Sequence, residues 1–374
     1  MMQELPLGFN ERVIFTLRSL YSRYGYSRYK MSKFEEYDLY AHNKDFLISD
    51  SVITFTDTNG KLMALKPDVT LSIVKNSKDD LASVQKLYYN ENVYRASKST
   101  NSFKEIMQVG LECIGNIDDY CICEVLMLAA ESLRSISDGS LLDISHLGLL
   151  SDIFDAIKVP EGNKDALLRC IGEKNIHELA SVCRTCGVTE EGISLLRQAV
   201  SLSGKPEDIL PKMQSLLEGV VDCAPLEQLS RITQALKDTP VSDMLRFDFS
   251  AVDDIRYYNA IVFKGYVRSL PASVLSGGQY DNLMRKMGRK SGAIGFAVYL
   301  DMLERLETRK REYDVDTLLI YDGSTPLTAI RQQVNELTES GRSVMVQKEI
   351  PENTKCRQIL KLSGSEVTVL EHNA

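Results

Sequence analysis

Two long strand-like stretches, residues 85–95 and 105–115, constrain the fold of this 374-residue chain more than any other feature of its sequence. They read QKLYYNENVYR and EIMQVGLECIG, and the polar segment ASKSTNSFK separates them. Their aromatic and β-branched residues, bounded by a polar loop, predict two long antiparallel β-strands. The chain is therefore expected to build its core around a largely antiparallel sheet.

The polar side chains of these strands predict a ligand-binding face. Residues two and four apart in a strand share a face, so Glu91 and Arg95 point the same way along the first strand. Gln108, Gly110 and Glu112 share a face of the second strand in the same manner. A face that carries Arg, Gln and Glu offers hydrogen bonds to a small zwitterionic ligand. The pattern alone leaves a solvated outer face open as the alternative.

Composition and charge narrow the class of protein. Hydrophobic residues make up 44% of the chain and charged residues 26%, which is typical of a soluble globular protein. The 44 basic and 52 acidic side chains give a net charge of −8, which disfavours a broad surface for polyanions. No apolar run reaches the roughly 20 residues of a membrane span, and the charged first stretch differs from a signal peptide. We therefore expect a soluble, cytoplasmic protein with no membrane partner.

The eight cysteines predict reduced thiols, because a chain of this length has core enough without disulfides. Cys183 and Cys186 have the spacing of a metal or redox pair. A structural zinc site needs a second pair of ligands, however, and the four histidines supply no matching motif. The sequence therefore predicts no metal and no cofactor.

The remaining patterns predict an α+β chain in two parts. A domain over residues 1–310 carries a helical insertion at about 150–240, and a small α/β domain over 311–374 follows it. The small domain is predicted to run β-α-β-α-β, with a short helix between the strands SVMVQ and SEVTVLE. The other predicted elements are helices at 9–24, 118–136, 279–288 and 299–310, a hairpin at 46–65, and strands at 243–252, 257–268 and 272–277.

Two glycine-containing stretches lie near the end of the first domain. Gly277 and Gly278 separate a predicted strand from a helix, where they allow the backbone to approach a ligand closely or simply satisfy turn geometry. In GAIGFA, Gly292 and Gly295 alternate with apolar residues before a helix. For this second stretch we predict tight packing of the backbone against the helix.

Four motifs in a fixed order give the chain a resemblance to a known family. LKPDVT, NENVYRAS with FKEIMQVGLECIG, DDIRYYNAIVFKGYV, and SGGQYDNL with GAIGFAVYLDMLERL together resemble the histidyl-tRNA synthetase catalytic core over residues 5–310. The resemblance implies the class II aminoacyl-tRNA synthetase fold, an antiparallel sheet flanked by helices. It also implies a homodimer, although Ser32 stands where that family's motif 1 has proline.

The same resemblance predicts a histidine-binding pocket. Asp68 stands where the family has glutamate, and the remaining positions match the family's pocket directly. Carboxylates suit an α-ammonium group and an imidazole N–H, while tyrosines supply shape and a hydroxyl partner. The predicted histidine-binding residues are Asp68, Thr70, Gln108, Glu112, Tyr257, Tyr258 and Tyr280.

The nucleotide-handling residues of the family are mostly replaced. Arg95 keeps the motif 2 arginine that binds the α-phosphate, whereas Ser97 replaces the glutamate two residues later. Gln279, Asp253 and Met302 stand in the places of three arginines. Arginines stabilise the charge that develops on the phosphoryl group during adenylation. We therefore predict no catalytic residue in this chain.

A chain that retains the amino-acid pocket but has an altered nucleotide site resembles the ATP phosphoribosyltransferase regulatory subunits, which share the synthetase-like core. That resemblance implies a hetero-oligomer, expected as a hetero-octamer, with a short-form catalytic phosphoribosyltransferase subunit. It also implies histidine as the feedback effector of the first step of histidine biosynthesis. The alternatives are a divergent histidyl-tRNA synthetase and a synthetase-like RNA-binding module, and tRNA is not an expected partner.

Overall fold

The structure is a computed structural model that describes residues 7–47, 52–96, 102–252, 257–303, 306 and 313–372. The chain divides into two compact units, Gly8–Leu306 and Glu307–Ala374 with Met1–Leu7. The predicted boundary between residues 310 and 311 lies outside the described residues. None of the helices in the described ranges is long and apolar enough to span a bilayer.

The larger unit alternates helices and strands before and after a run of helices. Its helices are α1 (Phe9–Arg23), α2 (Tyr37–Ala41), α3 (Thr70–Asn76), α4 (Asp119–Ile136), α5 (Leu147–Ala156), α6 (Glu161–Gly172), α7 (Ile176–Thr185), α8 (Glu190–Ser201), α9 (Pro206–Leu217), α10 (Ala224–Leu236), α11 (Asp281–Lys286) and α12 (Leu300–Leu303). Its strands are β1 (Ser27–Arg28), β2 (Phe34–Glu36), β3 (Thr54–Thr56), β4 (Leu62–Leu65), β5 (Gln85–Ala96), β6 (Phe103–Gly115), β7 (Ser140–His146), β8 (Ser203–Gly204), β9 (Leu245–Asp248), β10 (Ile261–Val267), β11 (Leu275–Gln279) and β12 (Gly292–Tyr299).

A nine-stranded sheet organises this unit, in the order β1-β5-β6-β12-β11-β10-β7-β9-β8. Neighbouring strands are antiparallel except for the pairs β1–β5 and β7–β9. The two long predicted strands are β5 and β6, which pair from Gln85 opposite Ile114 to Ala96 opposite Phe103. The predicted class of a largely antiparallel sheet flanked by helices is confirmed, and α5 to α10 form the helical insertion.

The two faces of β6 enter different hydrophobic cores. Val109, Leu111 and Cys113 are buried in the core that also contains the apolar faces of α1 and α4. The α4 helix, predicted at 118–136, begins at an acid cap, because the Asp118 carboxylate accepts the Cys121 N–H at 2.9 Å. Ile114 belongs instead to a second core on the opposite face of the sheet. The alternation in the sequence therefore separates a structural face from the face that carries the candidate site.

The predicted hairpin is present and its turn is fixed by one carboxylate. Asp57 accepts the backbone N–H groups of Asn59 and Lys61, each at 2.8 Å, and Gly60 adopts the left-handed φ of +81°. The hairpin strands β3 and β4 join β2 in a separate three-stranded antiparallel sheet with the order β2-β4-β3. This small sheet leads directly into residues 66–68 of the candidate site.

The stretch GAIGFA differs from its predicted role. Residues Gly292–Tyr299 form β12, which lies inside the large sheet between β6 and β11. The sequence signal for a strand is weak here because glycine and alanine have low strand propensity. The pairing is decided by the neighbouring strands, since Gly295 lies opposite both Glu112 of β6 and Gly278 of β11. The central strand β7 was likewise not predicted as a strand.

The smaller unit has one helix and a four-stranded sheet in its described part. Its elements are β13 (Val315–Tyr321), α13 (Leu327–Glu339), β14 (Val344–Gln347), β15 (Cys356–Ser363) and β16 (Glu366–His372), and the sheet order is β14-β13-β15-β16. The short helix predicted between β14 and β16 is wrong, because this stretch forms β15, parallel to β13 and antiparallel to β16. The cause is pairing with β13, which buries Ile359, Leu360 and Leu362.

Candidate functional site

Glu112 lies at the centre of the candidate site. Its side chain projects from β6 and is only 2% exposed. The Thr70 hydroxyl at the start of α3 donates to Glu112 Oε1 at 2.8 Å, and the Tyr280 hydroxyl donates to Glu112 Oε2 at 2.6 Å. Three predicted residues that are distant in sequence therefore meet at one carboxylate.

Asp68 forms the second buried carboxyl of the site. Its Oδ1 accepts the Leu71 N–H at 3.0 Å, so the side chain faces the first turn of α3. Burial raises the pKa of Asp68, while the charge of Arg95 and the backbone N–H groups of Leu71 and Thr70 oppose that rise. Asp68 is 7% exposed and is therefore shielded from bulk water.

The predicted tyrosines surround these carboxyls. The ring centroids of Tyr257 and Tyr258 are 4.7 Å apart, and those of Tyr257 and Tyr280 are 5.8 Å apart. Burial raises the pKa of Tyr257 well above its usual value, and the nearby Asp68 and Glu112 add to the effect. The Tyr257 hydroxyl therefore remains protonated at neutral pH and can act as a hydrogen-bond donor.

The pKa of Glu112 is raised from 4.5 to about 8. Burial is the main cause, the hydrogen bonds from Tyr280 and Thr70 oppose it, and the negative charge of Asp68 adds to it. A carboxyl in this environment is largely protonated at neutral pH when no ligand supplies positive charge. A cationic group placed against it would favour the carboxylate form.

Glycines in neighbouring strands create the room for these side chains. A Cβ atom on Gly295 would lie 1.8 Å from Glu112 Oε2, and one on Gly278 would lie 2.6 Å from the Tyr258 ring. A Cβ atom on Gly110 would lie 2.5 Å from the hydroxyl of Tyr89. The absence of a side chain at these glycines therefore leaves space in which the side chains of the candidate site pack against the sheet.

The remaining predicted pocket residue, Gln108, lies on the same face of β6 as Glu112. Gln108 is 3% exposed, and it pairs in register with Glu91 of β5 and Tyr299 of β12. The alternative of a solvated outer face is wrong for this face, since both Gln108 and Glu112 are buried.

Sequence reasoning missed further groups at the site. Tyr40 is fully buried, its hydroxyl has no hydrogen-bond partner among the described residues, and the charge of Asp68 contributes to its raised pKa after burial. Tyr89 is buried on the same face of β5 as Glu91, in contact range of Gly110. The period-two spacing of Tyr89 with Glu91 was the available signal for this position.

Lys66 and Glu91 form an ion pair that the sequence did not predict. Lys66 Nζ lies 2.6 Å from Glu91 Oε2, and the two side chains are 1% and 14% exposed. Close by, Arg95 Nε donates to the Pro67 carbonyl at 2.9 Å. The cations next to the predicted pocket are therefore already engaged by protein groups.

The predicted nucleotide-site replacements fall in different surroundings. Gln279 Nε2 donates to Asp281 Oδ2 at 2.8 Å, and Met302 in α12 packs against the core behind the sheet. The exposed Ser32, at the motif 1 position, accepts the Phe34 N–H at 3.3 Å. Asp253 and Ser97 lie outside the described residues.

The cysteines contribute no metal site to the described ranges. All eight lie in the described residues and none is part of a disulfide, and the Cys186 thiol donates to the Cys183 carbonyl at 3.3 Å, as a helix-end contact. Within the residues that the structure describes, no group of three or more His, Cys, Asp or Glu side chains is arranged to hold a metal ion.

Comparison with known sequences identifies the family of this chain. The family described as Histidyl-tRNA synthetase matches residues 8–303. An ATP phosphoribosyltransferase regulatory subunit from Halothermothrix orenii is 31% identical over 294 residues, which cover 74% of this chain and 69% of that protein.

Two solved structures share the fold. The first is an ATP phosphoribosyltransferase regulatory subunit/histidyl-tRNA synthetase from Bacillus halodurans, with a TM-score of 0.74, 22% identity and 93% coverage of both chains. The second is from an ATP phosphoribosyl transferase (HisG:HisZ) complex of Thermotoga maritima, with a TM-score of 0.61 and 20% identity. The match covers 80% of this chain and 98% of the Thermotoga maritima chain. At these identities the likeness establishes the fold.

Proposed function

The chain belongs to the histidyl-tRNA synthetase family, within the group named ATP phosphoribosyltransferase regulatory subunits, and on this premise we propose that it regulates an ATP phosphoribosyltransferase and does not charge tRNA. Its role would lie in the cytoplasm, at the first step of histidine biosynthesis. The observation that carries the proposal is a buried cluster of carboxyl, hydroxyl and amide groups, beside which Lys66 is paired with Glu91 and Arg95 donates to the Pro67 carbonyl.

Histidine is the effector that this pocket fits best. Glu112 and Asp68 are acidic acceptors for the α-ammonium group and an imidazole N–H, and the tyrosine rings of Tyr257, Tyr258 and Tyr280 would enclose the imidazole. Each charge-assisted hydrogen bond contributes roughly 1.5–3 kcal/mol. Thr70 and Gln108 would complete the set, with Thr70 orienting Glu112 through its 2.8 Å hydrogen bond.

Loss of synthetase chemistry is the second part of the proposal. Adenylation needs positive charge at the transferring phosphoryl group. Met302 and Gln279 are uncharged replacements for arginine, and Asp253 would bring negative charge there. Arg95 is the one arginine retained from the family's phosphate site, and its Nε already donates to the Pro67 carbonyl.

The partner we propose is a short-form catalytic phosphoribosyltransferase subunit, assembled with this chain as a hetero-octamer around homodimers of the synthetase-like core. Support for assembly comes from the Thermotoga maritima complex, whose chain resembles this one over 98% of its length. A homodimer should appear in light scattering at micromolar concentration without the partner. A monomer would count against the twofold core interface.

The decisive experiment mixes the purified chain with a short-form catalytic subunit. We expect no phosphoribosyltransferase activity from this chain alone, and we expect the mixture to be more active or newly inhibited by histidine. A catalytic subunit that behaves identically with and without this chain would overturn the regulatory role. Parallel aminoacylation and ATP–pyrophosphate exchange assays should show no turnover. Tight, salt-sensitive binding of tRNA would instead favour an RNA-binding module.

A further inference from the structure

Residues 66–68 cross one edge of the pocket and are tied to β5. The Tyr94 N–H donates to the Lys66 carbonyl at 2.9 Å, and Arg95 Nε donates to the Pro67 carbonyl at 2.9 Å. These two bonds fix the backbone of Lys66 beside the far end of β5. The position of its side chain is therefore set by the fold.

The Lys66 side chain does not extend into solvent. It is 1% exposed, and its Nζ donates to Glu91 Oε2 at 2.6 Å. Because its carbonyl is held at Tyr94 and its ammonium at Glu91, the aliphatic stem runs along β5 between those points. An ammonium group buried this deeply requires a counter-charge. Glu91, 14% exposed, supplies that charge.

Glu91 lies on the pocket face of β5. It shares this face with Arg95, four residues along the strand, and it pairs directly with Gln108 of β6. Glu91 therefore lies beside the predicted pocket residue Gln108 and on the same strand face as the retained phosphate-site arginine. The opposite face of the same hairpin carries Tyr94 and Glu105, which also pair with each other.

Each cation at this edge interacts with an acidic side chain. Lys66 is paired with Glu91, and the charge of Arg95 lowers the pKa of Asp68 against the effect of burial. Proteins bind phosphate through cations whose charge is not already neutralised, or through arrays of backbone N–H groups. A polyanion brought to this edge would meet two carboxylates together with the two cations. A zwitterionic amino acid carries no net charge and escapes this repulsion.

We propose that Glu91 determines the ligand class of the pocket: by neutralising Lys66, it excludes phosphate-bearing ligands and leaves the site to an amino acid. The inference rests on the pocket of the proposed function, but it does not involve the catalytic partner. Removing the charge of Glu91 should expose an ammonium group near Arg95. The altered edge should then bind pyrophosphate.

The test is calorimetric titration of the full chain with inorganic pyrophosphate, without metal ions, at low and at physiological ionic strength. Glu91→Gln should bind pyrophosphate at least tenfold more tightly than the wild type, and salt should weaken that binding. Glu105→Gln is the matched control, because it removes an exposed carboxylate from the opposite face of the same hairpin. Adding Lys66→Met to Glu91→Gln should abolish the gain.

Equal pyrophosphate affinity in the wild type and Glu91→Gln would overturn the proposal, as would an equal gain in Glu105→Gln. Glu91→Gln leaves a buried ammonium unpaired, so its thermal stability is measured with and without pyrophosphate. Pyrophosphate should raise its melting temperature by more than that of the wild type. A destabilised variant that pyrophosphate does not stabilise would refute the role of Glu91. Failure here leaves the regulatory assay untouched, because only the isolated chain is titrated.

Discussion

Replacing Glu112 by glutamine should change the pH dependence of both stability and ligand binding. Glutamine has the shape of a protonated glutamate and can exchange hydrogen bonds with the same two hydroxyls, Thr70 and Tyr280. It cannot ionise. The substitution therefore isolates the ionisation of one buried carboxyl while preserving its packing.

The magnitude follows from the pKa of Glu112, which burial raises from 4.5 to about 8 in the folded chain. Between these values the unfolded chain has lost the proton and the empty folded chain retains it. The wild type should therefore lose about 1.4 kcal/mol of unfolding free energy per pH unit through Glu112 as the pH rises. This contribution is fully present below pH 4.5 and is lost by about pH 8. Glu112→Gln should lack this loss.

Denaturant unfolding at several pH values between 5 and 8, without ligand, measures the effect. The two proteins should have similar stability near pH 5, and Glu112→Gln should become the more stable by a few kcal/mol near pH 8. Glu105→Gln, which removes an exposed carboxylate, should follow the wild type throughout. Parallel pH profiles for Glu112→Gln and the wild type would show that Glu112 is ionised in the empty pocket, which would refute the reasoning.

Histidine binding should change in the opposite direction. Glu112→Gln loses a charge-assisted hydrogen bond, so its affinity for histidine should fall about tenfold or more near pH 7. Binding to the wild type should release a proton, which calorimetry in buffers of different ionisation enthalpy detects. Histidine inhibition of the assembled enzyme should weaken in parallel, because an effector acts only through its differential binding. Unchanged affinity in Glu112→Gln and in Asp68→Asn would place the effector site elsewhere.

Further predictions concern packing and buried polar groups. Gly295→Ala should lower the free energy of unfolding by about 1–3 kcal/mol and weaken histidine binding, since its methyl group would clash with the Glu112 carboxyl group. Gly162→Ala is the control in α6, where an added Cβ atom would meet no other atom within 4 Å. It should leave the free energy of unfolding unchanged or raise it in denaturant unfolding. Tyr40→Phe removes a buried hydroxyl without a partner among the described residues, so the stability of the empty chain should stay level or rise by about 1 kcal/mol. Glu124→Gln should cost about 3 kcal/mol by thermal or chemical denaturation, because it leaves the ammonium of Lys86 without its carboxylate at 2.6 Å.

The sequence alone was sufficient for the elements whose signal is local. The period-two pattern of β5 and β6 predicted which residues share a face, and in the structure the two faces enter two different cores, with Gln108 and Glu112 on the same face as Ile114. The hairpin at 46–65 and the helix at 118–136 were also predictable from the sequence. The turn at Asp57 and the cap at Asp118 each depend on residues only two to four positions away. The family resemblance then predicted the pocket residues one by one.

Only the tertiary structure decided the elements and charges that depend on distant neighbours. The glycine-rich β12 is a strand because β6 and β11 pair with it, and β15 is a strand because β13 does. The same long-range packing buries Lys66 against Glu91 and places the Gly295 backbone beneath Glu112. Burial and pairing set the pKa and charge of a side chain. These quantities depend on which atoms surround it in space, so the sequence could point to Glu112 but could not show that burial raises its pKa.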